Sequence, residues 1–262
     1  MKLINACIIA FSTYSRIPMP QVEWNDDNMK YSICFFPFIG IVIGALLIGW
    51  YYLSGFLGLN VYIWAAVAAS LSTVVTGGIH MDGFCDTTDA LSSHQSQEKK
   101  LLILKDSNSG AFAIIKTCVY YMLYFAVFTQ MTSEGIAVVA IGFVISRALS
   151  GLAVVNFKSA RTSGLAATFK NASHKRNVTI GLIVILALAI ALAVMTAPYV
   201  GILTVICALV VFGYYRVVSY RQFGGITGDL AGYFLVLCEL AMAYGVVIAG
   251  KLFDGGLIIL WN

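Results

Sequence analysis

Seven apolar stretches divide this chain, each long enough to cross about 30 Å of hydrocarbon. They lie near residues 31–53, 57–77, 111–131, 136–156, 178–196, 199–216 and 230–250. The connections between them are of two kinds. The turns at 54–56, 132–135 and 197–199 are short and carry no Lys or Arg. The polar segments 1–30, 78–110, 157–177 and 216–229 carry thirteen of the sixteen Lys and Arg. Lys251 falls on the other side, and Lys116 and Arg147 fall within spans. Basic residues collect on the cytoplasmic face of membrane proteins, so the N-terminus and the four polar segments are expected there. Seven spans put the C-terminal tail on the opposite side, although its apolar GGLIILWN could re-enter. The pattern predicts an all-α, multi-pass helical bundle, one integral-membrane domain over residues 1–262, with its polar site facing the cytoplasm.

Composition agrees. Of 262 residues, 60% are hydrophobic and 11% are charged, where a soluble domain is nearer 25% charged. The net charge of +4 sits in loops, where it sets topology and meets anionic lipid or substrate. No basic soluble face exists for nucleic acid. The six cysteines form no CxxC pair and read as small buried hydrophobes, not as a disulfide or zinc framework. The N-terminal twenty residues have a short apolar stretch followed by Arg16 and no A-x-A site. They read as an interfacial or packed helix ending near Ile17-Pro18, not as a signal peptide.

Against this background the segment GGIHMDGFCDTTDAL at 77–91 stands out. Asp82, Asp86 and Asp89 are spaced i, i+4, i+7. At about 100° per residue a helix places them within roughly 60° of one another. Solvation of an ordinary acidic helix face is the simpler alternative. Here no Lys or Arg follows until Lys99, and Met81, Phe84, Ala90 and Leu91 surround the acids. Grouping unpaired carboxylates is costly. A divalent cation relieves that cost, and an all-oxygen set suits Mg²⁺ or Mn²⁺. A metal-binding acidic face beside a bilayer points to phosphate or pyrophosphate ester chemistry.

Other polar clusters could join it. In LKDSNSGAF at 104–112, Asp and Ser ahead of an apolar run read as a helix N-cap, while Lys105 and Ser107 could receive a phosphate. In FGGITGD at 223–229, Gly225 and Thr227 form a tight turn able to cradle an anion, and Asp229 could reach the metal. Gly83 leaves backbone open to a ligand. Arg161 could clamp a phosphate. Arg147, inside a span, needs an acid or an anionic ligand, with Glu239 a candidate partner. His80 is either a hydrogen-bonded structural residue or a proton acceptor.

Five motifs, in order, resemble the cobalamin synthase family: FSTYSRIPMP at 11–20, GGIHMDGFCDTTDAL at 77–91, LKDSNSGAFA at 104–113, SARTSGLAATF at 159–169 and GGITGDLAG at 224–232. Asn108 stands where the family more often has Arg, and Ala113 where it has Gly. The resemblance implies a phosphotransferase of vitamin B12 nucleotide-loop assembly. It would join adenosylcobinamide-GDP to α-ribazole or α-ribazole 5′-phosphate, release GMP and require Mg²⁺. The setting would be the cytoplasmic membrane of a bacterium or archaeon, and a homo-oligomer is compatible with it. Together with the residues, the resemblance puts Asp82, Asp86 and Asp89 on the metal, with Asp106 or Asp229 completing the shell. His80 or an aspartate would take the hydroxyl proton, and Arg147 and Arg161 would neutralise phosphate oxygens. Gly83, Lys105, Ser107, Gly225 and Thr227 would meet substrate. The acidic pattern is also similar to that of CDP-alcohol phosphotransferases. An ion-coupled transporter is the alternative of another class, but transporters place such acids near the midplane, often with inverted repeats, and no repeat is visible.

Overall fold

The computed structural model describes residues 2–106 and 108–253. Twelve α-helices follow one another: α1 (Lys2–Tyr14), α2 (Asp26–Met29), α3 (Phe36–Phe56), α4 (Val61–Thr76), α5 (Ile79–Ser92), α6 (Gln97–Ile103), α7 (Ala111–Phe128), α8 (Ser133–Asn156), α9 (Leu165–Ala172), α10 (Lys175–Thr196), α11 (Pro198–Phe223) and α12 (Gly228–Phe253). A 3₁₀ turn at Ser32–Phe35 leads into α3. Among the described residues the sole β-type pairing is an isolated bridge between Ser159 and Ile226. Six helical segments are long and apolar enough to cross a membrane: the one ending in α3, then α7, α8, α10, α11 and α12. The pair α4–α5 makes a seventh if its two arms, bent by 94°, count as one span. Six to seven spans match the expected multi-pass bundle.

Local chemistry explains the ends. Asn60 and Thr132 cap α4 and α8 by accepting from the Ile63 and Gly135 amides at 3.0 and 3.1 Å. Pro198 opens α11 in its first turn. The bend after α4 needs glycine. The Gly77 amide donates to the Val74 carbonyl and the Gly78 amide to the Thr73 carbonyl, which is the paired bonding of a Schellman stop. Gly77 and Gly78 have φ of 65° and 84°, a left-handed backbone that costs a side-chain-bearing residue about 1–2 kcal/mol. The sequence boundary that moves most is that of the sixth span. α11 continues to Phe223, so Arg216 and Arg221 are helical residues and not loop residues.

The outer belt of the bundle is apolar. Leu188, Met195 and Val210 are 66%, 81% and 66% exposed, which is costly in water and ordinary in lipid. Without a hydrophobic drive between helices in lipid, close packing must hold them. On α3, Gly44 lets the backbone approach α8: a Cβ there would lie 2.7 Å from the Ala140 carbonyl oxygen. The most buried spanning helix, α8, carries Arg147. Its guanidinium donates to Glu239 of α12 at 2.8 Å, to the Phe143 carbonyl at 3.1 Å and to the Ser72 and Ser146 hydroxyls, both at 3.3 Å. Both partners of the pair are buried. Glu239, the Phe143 carbonyl and the hydroxyls take the Arg147 Nη groups, its Nε has no partner, and the residue does not line the cleft that holds Asp82, Arg161 and Asp229.

This pair yields a first prediction. Arg147→Ala leaves a buried carboxylate unpaired and should cost about 3–5 kcal/mol in a denaturation titration in mixed micelles. Arg147→Met with Glu239→Leu should recover most of that loss. A double variant as unstable as the single one would contradict the purely structural role.

Candidate active site

Two close backbone approaches build the site, both between α5 and α12. A Cβ placed on Gly83 would meet the Asp229 carbonyl oxygen at 2.6 Å. One placed on Gly232 would meet the His80 carbonyl oxygen at 2.8 Å. Only glycines allow helices this near. The contact sets the first turn of α12 beside the first turns of α5 and so brings Asp229 to the aspartate helix.

The entry to α12 is held from a second direction. The Ile226 amide donates to the Lys158 carbonyl, and the Ala160 amide to the Ile226 carbonyl, both at 2.8 Å. Gly225 permits it, since a Cβ there would lie 2.7 Å from the Ala160 nitrogen. This pairing lays the segment 158–161 along the turn. Arg161 then reaches Asp229, with 3.7 Å between Nη1 and Oδ2, and also donates to the Leu101 carbonyl of α6. The Thr227 hydroxyl accepts from the Leu230 amide at 3.2 Å, capping α12, and donates to Asp229 Oδ2 at 3.3 Å.

These residues line a cleft of ≈ 210 Å³ together with Tyr14, Phe36, His80, Asp82, Ser159 and Ser163. One wall is aromatic, the other polar. His80 is buried and stacked on Tyr14 at 6.3 Å, with Phe36 edge-on at 5.7 Å. Its Nε2 has no hydrogen-bond partner within the protein. Asp86, one turn along α5, feels the charges of Asp82, Asp229 and Asp89, opposed by Arg161. Asp82 and Asp229 thus line one cleft with Arg161, and Asp86 lies one turn behind Asp82, outside the lining.

Asp89 has a further task. Its two carboxylate oxygens accept from the Gly110 and Ala113 amides, at 2.5 and 2.9 Å. It caps the N-terminus of α7 from another helix, and its negative charge meets the positive end of the α7 dipole. Among the described residues no side chain of the KDS segment caps α7. Asp106 is exposed and accepts from the Asn108 amide and side chain at 3.0 and 2.9 Å. Those bonds hold its carboxyl below the usual carboxylate range. Asp106 and Lys105 stand apart from the cleft, and Ser107 lies outside the described residues. At Gly83 and Gly225 neighbouring backbone fills the space that a side chain would take. The cleft also holds Ser163, from the polar patch around Arg161, and two residues that the sequence did not single out for chemistry, Tyr14 and Ser159.

The donor set suits a hard divalent cation, being carboxylate oxygen throughout with no thiolate. Among the described residues, no three His, Cys, Asp or Glu side chains close on one ion position as they stand. Substrate oxygens and side-chain rotation would have to complete a shell.

The motifs that carry this geometry are matched by the model of the cobalamin-5-phosphate synthase family over residues 6–247. The chain belongs to that family. A relative from Lachnoclostridium phytofermentans, named adenosylcobinamide-GDP ribazoletransferase, is 49% identical over 249 residues, or 95% of each chain. One of the same name from Clostridium perfringens strain 13 is 33% identical over 260 residues, covering 95% of this chain and 99% of its own length. A third, from Listeria monocytogenes, is 29% identical over 86% of this chain and 90% of its own. No solved structure matches the chain.

The cap on α7 is testable. Asp89→Ala should cost about 0.5–2 kcal/mol, typical of a lost N-cap. Hydrogen exchange should quicken at the amides of Gly110 and Ala113 while α8 keeps its protection. Unchanged exchange at both amides would show that Asp89 is free for other work.

Proposed function

We propose that this chain is a membrane-embedded adenosylcobinamide-GDP ribazoletransferase, facing the cytoplasm from the cytoplasmic membrane of its cell. It joins adenosylcobinamide-GDP to α-ribazole or α-ribazole 5′-phosphate and releases GMP. Membership of the family supports the reaction class. The observation that carries the assignment of the site is the meeting of Asp82 and Asp229 with Arg161 in one cleft at the α5–α12 glycine contact, with Asp86 one turn along α5.

In that reaction a ribose hydroxyl other than the 5′ position, which is phosphorylated in α-ribazole 5′-phosphate, attacks the phosphorus next to cobinamide, and the GMP oxygen leaves. Positioning and charge neutralisation do most of the work in such transfers. Mg²⁺, or Mn²⁺, bound by Asp82, Asp86 and Asp229 would supply Lewis-acid stabilisation of the pyrophosphate. Arg161, already turned to the cleft, neutralises a phosphoryl oxygen. Thr227 orients Asp229 through its hydroxyl. His80 Nε2, buried at the cleft without a protein partner, is placed to accept the hydroxyl proton. The aromatic wall of Tyr14 and Phe36 excludes water from the reacting groups.

Purified protein given both substrates and Mg²⁺ should release GMP. Asp82→Asn, Asp86→Asn and Asp229→Asn should each lower turnover by at least about a hundredfold while the protein stays folded in detergent. Gly232→Val removes no carboxylate, yet it should cost on the order of a hundredfold by separating α12 from α5. Near-normal turnover in all four variants would sink the assignment. Orientation has its own check. In a cysteine-free background, a Cys at exposed Ser96 should stay unlabelled by an impermeant reagent added to intact cells.

A further inference from the structure

Between Glu134 and Asp229 the chain has eight Lys and Arg and no Asp or Glu. Acids from outside that stretch answer two of them, Arg147 through Glu239 and Arg161 through Asp229. Lys170 donates to the Phe157 carbonyl at 2.5 Å. Lys158, Lys175, Arg176, Arg216 and Arg221 make no ion pair among the described residues. All five lie at the site end of the bundle, where α8 and α11 end and α10 begins.

Arg216 differs from the other four in being held. Its guanidinium carbon lies 5.1 Å from the Phe157 ring centroid and 5.3 Å from that of Tyr220. The Lys158 amide donates to the Tyr220 hydroxyl at 2.9 Å. Phe157, Lys158, Arg216 and Tyr220 thus form one unit at the α8–α11 seam. Two rings at 81° to one another hold the guanidinium by cation–π attraction while leaving its N–H groups to a ligand. The side chain is exposed, and Leu209, two turns before it on the same face of α11, is 50% exposed. That face is built for lipid.

Depth supports the same reading. The 26 residues of α11 span about 39 Å at 1.5 Å per residue, against about 30 Å of hydrocarbon. Centred, the helix projects about 4–5 Å at each end, which leaves the Arg216 backbone about 6 Å inside the boundary. A long basic side chain snorkels across such a distance to the phosphate level. We propose that Arg216, held by Phe157 and Tyr220 and joined by Lys158, is a headgroup site for an anionic phospholipid at the α8–α11 seam. The site is separate from the cleft and does not depend on the reaction assigned to it.

The test uses purified full-length protein in neutral detergent. It is titrated with dioleoylphosphatidylglycerol, with dioleoylphosphatidylcholine and with inorganic phosphate, and bound lipid is read by native mass spectrometry. The anionic lipid should bind more tightly than the zwitterionic one. Arg216→Gln should weaken it about fivefold, the worth of one basic residue at an anionic surface. Lys158→Gln should weaken it about two- to fivefold on the same scale, and this variant keeps the bonds of the Lys158 backbone should Arg216→Gln fail to fold. Equal affinity for the two lipids, or no loss in the variants, would overturn the proposal. Displacement of the lipid by millimolar inorganic phosphate would overturn it too, by showing a soluble-anion site.

Discussion

The site depends on the near contact of two helix backbones. Gly83 stands against the backbone of Asp229, and Gly232 against that of His80. That contact brings Asp229 to the aspartate helix, and the bridge of Ile226 to the segment 158–161 brings Arg161 to Asp229. A side chain at either glycine would separate the first turns of α5 and α12. The carboxylate of Asp229 would then leave the field of Asp82 and Asp86. Glycine here is a condition of charge placement, and so of chemistry.

Charge explains why such a contact is worth building in a membrane protein. Carboxylates gathered by one helix face repel, and Arg161 alone opposes them at the cleft. The arrangement stores an electrostatic demand that a cation and a pyrophosphate can meet together. The other intramembrane pair works in the opposite sense. Arg147 and Glu239 satisfy one another and the nearby hydroxyls deep between α8 and α12, so they fasten the helix that carries Asp229 without turning toward the cleft.

Glycine pairs punctuate both arms of the site. Gly77 and Gly78 stop α4 and start α5 at 94°. Gly224 and Gly225 end α11 and admit the strand-like contact with Lys158 and Ala160. The same two-residue device turns the chain sharply at two places where polar groups must face one cleft.

Much of this was legible from residues alone. Apolar runs mark the spans because a bilayer demands about 20 such residues, and the i, i+4, i+7 aspartates mark a helix face because helical geometry is local. Asp229 could be assigned to that face because a metal shell needs more donors than one helix face supplies. What sequence could not decide were roles set by a partner far along the chain. Asp89 caps a helix that begins at Ala111, and of the two kinds of partner open to Arg147, an acid or an anionic ligand, it is the expected Glu239 that it meets. Gly83 and Gly225, open to a ligand in a string of letters, face backbone in three dimensions. Asp106 shares the acidic character of the others, but its own loop uses it for Asn108. The sequence by itself determined the membrane-spanning class, the aspartate helix and the family. Tertiary structure alone decided which charged groups face the cleft and which bind the bundle together, because the distance between two side chains depends on helix packing and not on their separation in sequence.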